Sequence, residues 1–192
     1  MILASNSPRR REILENFGFS LKIISKNIDE ISDKEDIKEK ISDIAQQKTK
    51  AVAVSYPNEY VVGADTVVVI NNKILGKPHI KEEAFEMLKE LSGKAHEVIT
   101  AYSLINISKN IFHTDTETTK VYFKSLSDEE INWYINTNEP MDKAGAYGIQ
   151  GKGALFVEKI EGDFFSVMGF PLGKFLRYLS ETDINLNDLE KL

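Results

Sequence analysis

AHEVITAYSLINI (residues 95–107) and IFHTDTETTKVYF (residues 111–123) are separated only by Ser108, Lys109 and Asn110. Both segments are rich in β-branched and aromatic residues, and a short polar link joins them. The pair therefore reads as a long antiparallel hairpin. Helical and strand-like segments alternate on either side of it, so the hairpin decides between a purely parallel sheet and a mixed one. The fold class it predicts is α/β, a mixed sheet with flanking helices.

Towards the N-terminus, Lys81–Leu91 reads as a helix stopped by Gly93. Before it, YVVGADTVVVI (60–70) is an apolar, β-branched run suited to a central strand, and Asn71-Asn72 is a tight turn into KILGKP (73–78). A longer helix covers about 36–55, with Ile37, Ile41, Ile44 and Val52 as its apolar stripe. Lys48 falls on that stripe, four residues after Ile44. Residues 2–4 read as a short buried strand, 7–17 as a helix with Ile13, Leu14 and Phe17 on its apolar face, and LKIIS (21–25) as a second strand before a polar loop.

Towards the C-terminus, Ser127 with Glu130 forms a capping box that opens a helix to about Thr137. KAGAYGIQGKGALF (143–156) then carries four of the chain's eleven glycines within nine residues, Gly145 to Gly153, which marks a turn-rich segment. A strand over 154–160 and a last helix begun by Pro171, with Leu172, Phe175, Leu176 and Leu179 on it, complete the pattern. No repeats, low-complexity tracts or linkers interrupt it.

The 192 residues, 42% hydrophobic, suit one domain or two small lobes around one core. With 24 basic against 30 acidic side chains the net charge is −6, so the chain carries no broad footprint for nucleic acid and any anion site must be local. There are no cysteines, which excludes disulfides, thiolate metal sites and cysteine nucleophiles. The opening apolar stretch lacks the parts of a signal peptide, and no run approaches the ~20 residues of a membrane span. These features predict a cytoplasmic protein without a membrane partner.

Chemistry concentrates first in LASNSPRRREIL (3–14). Ser7 is a good N-cap and Pro8 suits the first helical position, which puts Arg9, Arg10 and Arg11 in the first turn, at the positive end of the helix dipole. Three of the chain's four arginines are there, and cations beside free N–H groups suit a phosphate better than they suit the helix alone. A solvated basic turn is the plainer alternative. Asp65 lies inside an otherwise apolar strand, where an unpaired carboxylate costs several kcal/mol. It can bind a divalent ion, take a proton from water, or pair with a buried lysine for structural reasons.

Lys48 and Lys77 are candidate phosphate ligands; the first can equally snorkel, and the second sits in Gly76-Lys77-Pro78, a common loop tripeptide. Glu30, in a polar loop, reads by itself as a solvated acid. The glycine-rich segment fits neither GxxxxGK[ST] nor GxGxxG opening a helix. It lets backbone approach a flat ligand, with Gln150 offering a donor and an acceptor, or it is simply a turn. His79, His96 and His113 lie far apart without HExxH spacing, and Ser5 and Ser7 lack a GxSxG setting.

Taken in order, LASNSPRRREIL, the Lys48 helix, GADT (63–66), GKP (76–78), LSG (91–93) and EPMDKAGAYGIQGKGALFVEKIEGDFFSVMGFPL (139–172) resemble the Maf family of nucleoside triphosphate pyrophosphatases. The likeness runs from about residue 2 to 177, and DKAGAYGIQG is its most specific part. The resemblance implies an elongated α/β fold similar to that of the house-cleaning inosine triphosphate pyrophosphatases, two lobes about a cleft, one Maf-like domain over 1–192 and a possible homodimer. It implies a divalent cation, Mg²⁺ or Mn²⁺, and cleavage of a nucleoside triphosphate to monophosphate and pyrophosphate. Thr66 and Gln150 match the branch acting on dTTP and UTP; the branch linked to 7-methyl-GTP tends to have Gln and Glu there.

By the same resemblance Asp65 matches the general base, and Arg9, Thr66 and Gln150 match positions tied to substrate choice. Ser5, Arg10, Glu30, Lys48 and Lys77 match positions near the phosphates or the metal, with Glu30 and Asp65 as the metal candidates. Arg11 matches a variable position. A nucleotide-binding regulator of septum formation and cell division, without turnover, is the alternative the family also suggests.

Overall fold

The computed structural model describes residues 1–182, 184, 189 and 190. Its strands are β1 (Ile2–Leu3), β2 (Lys22–Ile23), β3 (Val61–Ile70), β4 (Lys73–Leu75), β5 (Ala95–Asn106), β6 (Ile111–Phe123) and β7 (Val157–Glu161). Its α-helices are α1 (Pro8–Asn16), α2 (Ile37–Ala53), α3 (Lys81–Leu91), α4 (Asp128–Ile135), α5 (Phe164–Met168) and α6 (Leu172–Ser180). The seven strands form one mixed sheet in the order β2-β1-β3-β5-β6-β7, with β4 paired to β3. β1 runs parallel to β2 and β3, whereas β4 and β7 run antiparallel to β3 and β6.

The chain divides into two compact units, one of Met1–Asp65, Thr100–Glu117 and Gly169–Leu192, the other of Thr66–Ile99 and Thr118–Met168. The last residues of the domain expected over 1–192 lie partly outside the described residues.

In the first unit, Ser7 caps α1 by accepting from the Arg10 N–H at 3.5 Å, and no acidic residue occupies the first turn. Ile13 and Leu14 are buried as expected, but Phe17 is 43% exposed. The helix has already ended at Asn16, Gly18 at φ +92° turns the chain, and Phe19 takes the inward place against Phe175. Asp36 caps α2 with bonds from the Lys38 and Glu39 N–H groups, 2.9 and 3.0 Å. The stripe of α2 buries Ile41, Ile44 and Val52, and Val52 joins Ile2, Ala4, Ala53, Val61 and Ile105 in a core cluster. Gly63 of β3 allows α2 to lie this close, because a Cβ there would overlap the Thr49 hydroxyl.

In the second unit, Asn71 and Asn72 both adopt positive φ, 51° and 61°, which is the two-residue turn that matches strand twist. The core clusters Val68, Ile70, Leu75, Leu88, Leu91 and Val98 with Phe123, Tyr134, Tyr147 and Phe156. Ser127 and Glu130 form the expected capping box, and α4 ends at Ile135 rather than Thr137.

The strand expected over 154–160 begins only at Val157; Gly151–Phe156 forms a 3-10 helix instead. Gly151 sits at φ +68°, and the Glu139 carboxylate takes the N–H groups of Lys152 and Gly153, so these residues curl rather than extend. The short helix α5, started by Asp163 Oδ1 on the Phe165 N–H at 2.7 Å, has no counterpart in the sequence reading.

Candidate active site

α2 and β3 bring the two unusual charges of the first unit together. Lys48 Nζ lies 2.7 Å from Asp65 Oδ1 and 2.8 Å from Glu30 Oε1. The Lys48 and Asp65 side chains are 19% and 15% exposed, Glu30 50%. Lys48 does not snorkel to solvent; it neutralises a carboxylate that would be costly alone in an apolar strand. One acid would have sufficed for that. The second leaves the cluster with a net negative charge and more than one carboxylate oxygen facing the same point.

The N-terminus of α1 supplies the opposite sign. Arg10 Nε donates to Gly169 O at 2.8 Å and its Nη1 donates to Ser5 Oγ at 3.1 Å, while Ser5 Oγ also accepts from the Ser7 N–H at 3.2 Å. Burial pulls the Arg10 guanidinium below its usual pKa; Asp65 and Glu30 oppose that pull and Arg9 adds to it. Arginine remains a cation regardless. Arg9, Arg10, Glu30 and Asp65 therefore share one electrostatic neighbourhood, with Lys48 bonded into it. Arg11 is separate: it is exposed and paired with Glu15 at 2.7 Å.

Gly169 is the residue that sequence reasoning missed here. Its φ of +117° is available to glycine, and its carbonyl orients Arg10. The signal was the glycine of VMGFPL, inside the run that carries the family likeness.

Thr66, Lys77 and Gln150 belong to the second unit. Thr66 follows Asp65 directly in β3; Lys77 is exposed in the loop between β4 and α3; Gln150 is half-buried and leads into the 3-10 helix. Backbone ties their segments: the Gly145 N–H donates to Gly76 O at 3.0 Å, and a Cβ on Gly145 would lie 2.9 Å from the Val68 side chain of β3.

The histidines have structural surroundings. His96 bonds Tyr147, His113 bonds Tyr102 and stacks on Tyr178 at 3.6 Å, and the His79 N–H donates to Glu83. Among the described residues, no group of three or more His, Cys, Asp or Glu is placed to hold a metal. The pair Glu30 and Asp65 nonetheless suits a hard cation such as Mg²⁺, which takes one or two carboxylates and completes its shell from phosphate oxygens and water. Both already converge on one cation, the Lys48 ammonium. Among the described residues, no helix is long and apolar enough to cross a membrane.

The profile of the family described as "Maf-like protein" matches residues 1–182. A protein of Fusobacterium nucleatum named dTTP/UTP pyrophosphatase is 54% identical over 192 residues, all of both chains. One of the same name from Alkaliphilus oremlandii is 52% identical, over 97% of this chain and 98% of that protein. A crystal structure titled nucleoside-triphosphatase / dITP/XTP pyrophosphatase, from Mycobacterium abscessus, is 12% identical, covers 94% of this chain and 95% of its own, and superposes with a TM-score of 0.45.

Proposed function

The chain belongs to the Maf-like protein family, and on that premise we propose that it hydrolyses dTTP and UTP to the nucleoside monophosphate and pyrophosphate, the substrates in its relatives' names. The observation that carries the reading is the Glu30–Lys48–Asp65 cluster in the same electrostatic neighbourhood as Arg9 and Arg10 at a helix N-terminus.

In this reaction a water oxygen bonds to the α-phosphorus, the bond to the bridging α–β oxygen breaks, and pyrophosphate leaves with the electron pair. Asp65 accepts the water's proton, with Lys48 on Oδ1 orienting the carboxylate. Arg9, Arg10, Lys48 and Lys77, with the Ser5 hydroxyl, hold the phosphates and offset the charge that grows on the leaving group. Glu30 and Asp65 would hold a divalent cation, Mg²⁺ or Mn²⁺, which supplies further positive charge to the phosphate oxygens when bound. Arg9, Thr66 and Gln150 set the substrate preference, Gln150 by pairing its amide with a pyrimidine edge. The family pattern adds a homodimer working in the cytoplasm on normal or modified pyrimidine nucleotides.

The test is a panel of nucleoside triphosphates with Mg²⁺ or Mn²⁺, resolving pyrophosphate from orthophosphate. Pyrophosphate and monophosphate from dTTP and UTP are expected. Nucleoside diphosphate with orthophosphate as main products would overturn the bond assignment, and tight nucleotide binding without product would return the chain to a regulatory role.

A further inference from the structure

Gln150 stands at the tip of a closed loop, Gly148–Gly153, and two side chains from outside the loop hold both of its sides. A Cβ on Gly153 would lie 2.5 Å from Gly148 O and 2.7 Å from Tyr134 Oη, so the ends of the loop touch each other and the phenol. Tyr134 Oη accepts from the Gly148 N–H at 3.3 Å and donates to Glu139 Oε1 at 3.0 Å. Glu139 Oε1 also accepts from the Gly153 N–H at 3.2 Å, and Oε2 accepts from the Lys152 N–H at 3.1 Å.

One hydroxyl–carboxylate pair thus fixes the backbone two residues before Gln150 and two and three residues after it. The pair is itself anchored. Tyr134 is fully buried, edge-on to Phe156 at 5.0 Å, and burial together with Glu139 pushes its phenol well above the ordinary range, which keeps it a donor. Lys143 Nζ donates to Glu139 O at 2.5 Å, and its alkyl chain fills the space that a Cβ on Gly148 would need, 2.8 Å from Cε. Gly151, between the two clamped sides, leaves room for the carboxylate, since a Cβ there would lie 3.0 Å from both Glu139 oxygens.

We propose that Tyr134 and Glu139 are positioning residues for substrate choice: through the backbone of Gly148–Gly153 they set where the Gln150 amide stands, and so how sharply one base is told from another. This rests on Gln150 reading the base, as in the function above. Selection by hydrogen bonds depends on sub-ångström placement of donor and acceptor, and a glutamine on a glycine-rich loop has that placement only if the loop is held. The brace touches no reacting atom, so its loss acts on base recognition and leaves phosphate chemistry in place.

The experiment measures kcat and KM for UTP and CTP in Tyr134→Phe and Glu139→Gln, each with Gln150 present and in a Gln150→Ala background. The first variant removes only the hydroxyl and keeps the buried ring. The second keeps shape and loses one acceptor, and serves if the first does not fold, as checked by Trp133 fluorescence. The expected result is a fall of about fivefold in the UTP-to-CTP ratio of kcat/KM, the order of one lost or misplaced hydrogen bond, carried by a rise in KM for UTP. In the Gln150→Ala background neither variant should change the ratio further. If Gln150→Ala lowers the ratio and both brace variants keep it, or if their effects simply add to it, the positioning role is overturned. If Gln150→Ala itself leaves the ratio unchanged, base reading by Gln150 fails first, and the inference with it.

Discussion

Acid should loosen the second unit through one side chain, His96. It lies in β5, 2% exposed, with Nε2 2.7 Å from Tyr147 Oη and its ring edge-on to Phe123 and Tyr147 at 5.0 and 5.3 Å. Its Nδ1 is buried and has no hydrogen-bond partner among the described residues, so a proton placed there would be an unpaired buried charge. Burial holds the pKa down to about 4, against 6.5 in an exposed chain. The folded form therefore binds the proton more weakly than the unfolded form. The stability this contributes is complete above pH 6.5 and is lost as the pH falls through the window down to about 4. Between pH 7 and 5 the loss is about 2 kcal/mol, and it levels off near about 3 kcal/mol at lower pH. Tyr147, pushed far up by burial, stays protonated throughout and contributes nothing in that window. Urea unfolding followed by fluorescence of Trp133, the chain's one tryptophan and a residue of α4 in the same unit, reports the effect. The comparison is with His96→Gln: whatever that change costs at pH 7, the wild type should lose about 2 kcal/mol more than the variant on going to pH 5. The comparison removes every pH effect that the two proteins share. Parallel loss in the two would mean that His96 is not held neutral.

Three further outcomes follow from the site and its supports. Asp65→Asn should lower turnover of dTTP by about 10²-fold or more, because the amide cannot take a proton, while the melting temperature stays within a few degrees since Lys48 keeps Glu30; wild-type turnover would make Asp65 structural. Gly63→Ala should destabilise by about 1–3 kcal/mol in urea, because the added Cβ overlaps the hydroxyl of fully buried Thr49. Thr49→Ala in the same chain should recover most of that loss, and a neutral Gly63→Ala would show that α2 and β3 are free to part there. Thr66→Gln with Gln150→Glu should shift the kcat/KM ratio towards 7-methyl-GTP and away from UTP, since a carboxylate removes a donor and suits a cationic purine better; an unchanged ratio would place base recognition elsewhere.

The elements that were legible in the sequence are those with local causes. Ser7 and Pro8 define the start of α1, the two asparagines define the β3–β4 turn, and the hydrophobic period and Gly93 define α3. Residues 151–156 were not legible because their conformation is set from outside, by a carboxylate thirteen and fourteen positions away in sequence from the N–H groups it binds. The same division runs through the site. Lys48 on an apolar stripe and Asp65 in an apolar strand each announce a missing partner, but nothing local says that they are each other's. Glu30 looked like a solvated acid, and at 50% exposure it partly is; only the folded loop puts its carboxylate on Lys48. Gly169 lies 159 residues from the Arg10 side chain that it orients, a distance no pattern of spacing can bridge.

Three consecutive arginines at the start of a helix look redundant until their directions are considered. Successive residues of an α-helix point about 100° apart, so neighbours in sequence cannot face the same ligand equally. Arg11 points outward and spends its charge on Glu15, one turn along. Arg10 points inward, where Ser5 and Gly169 hold its guanidinium flat and Asp65 and Glu30 act on it through space. Arg9 lies half-buried and close enough to Arg10 to press on its pKa. Folding alone disfavours two like charges at a helix end whose dipole is already positive, and the first turn carries no acid to offset them. The two carboxylates that reach Arg10 also share Lys48, so the same two anions offset both of these cations. A triphosphate would add negative charge to that balance. On the proposed reading, the Glu30–Asp65 pair is where the balance can be restored: carboxylates that offset Arg10 and Lys48 between substrates are also the groups to which a divalent cation can bring added positive charge when the phosphates arrive.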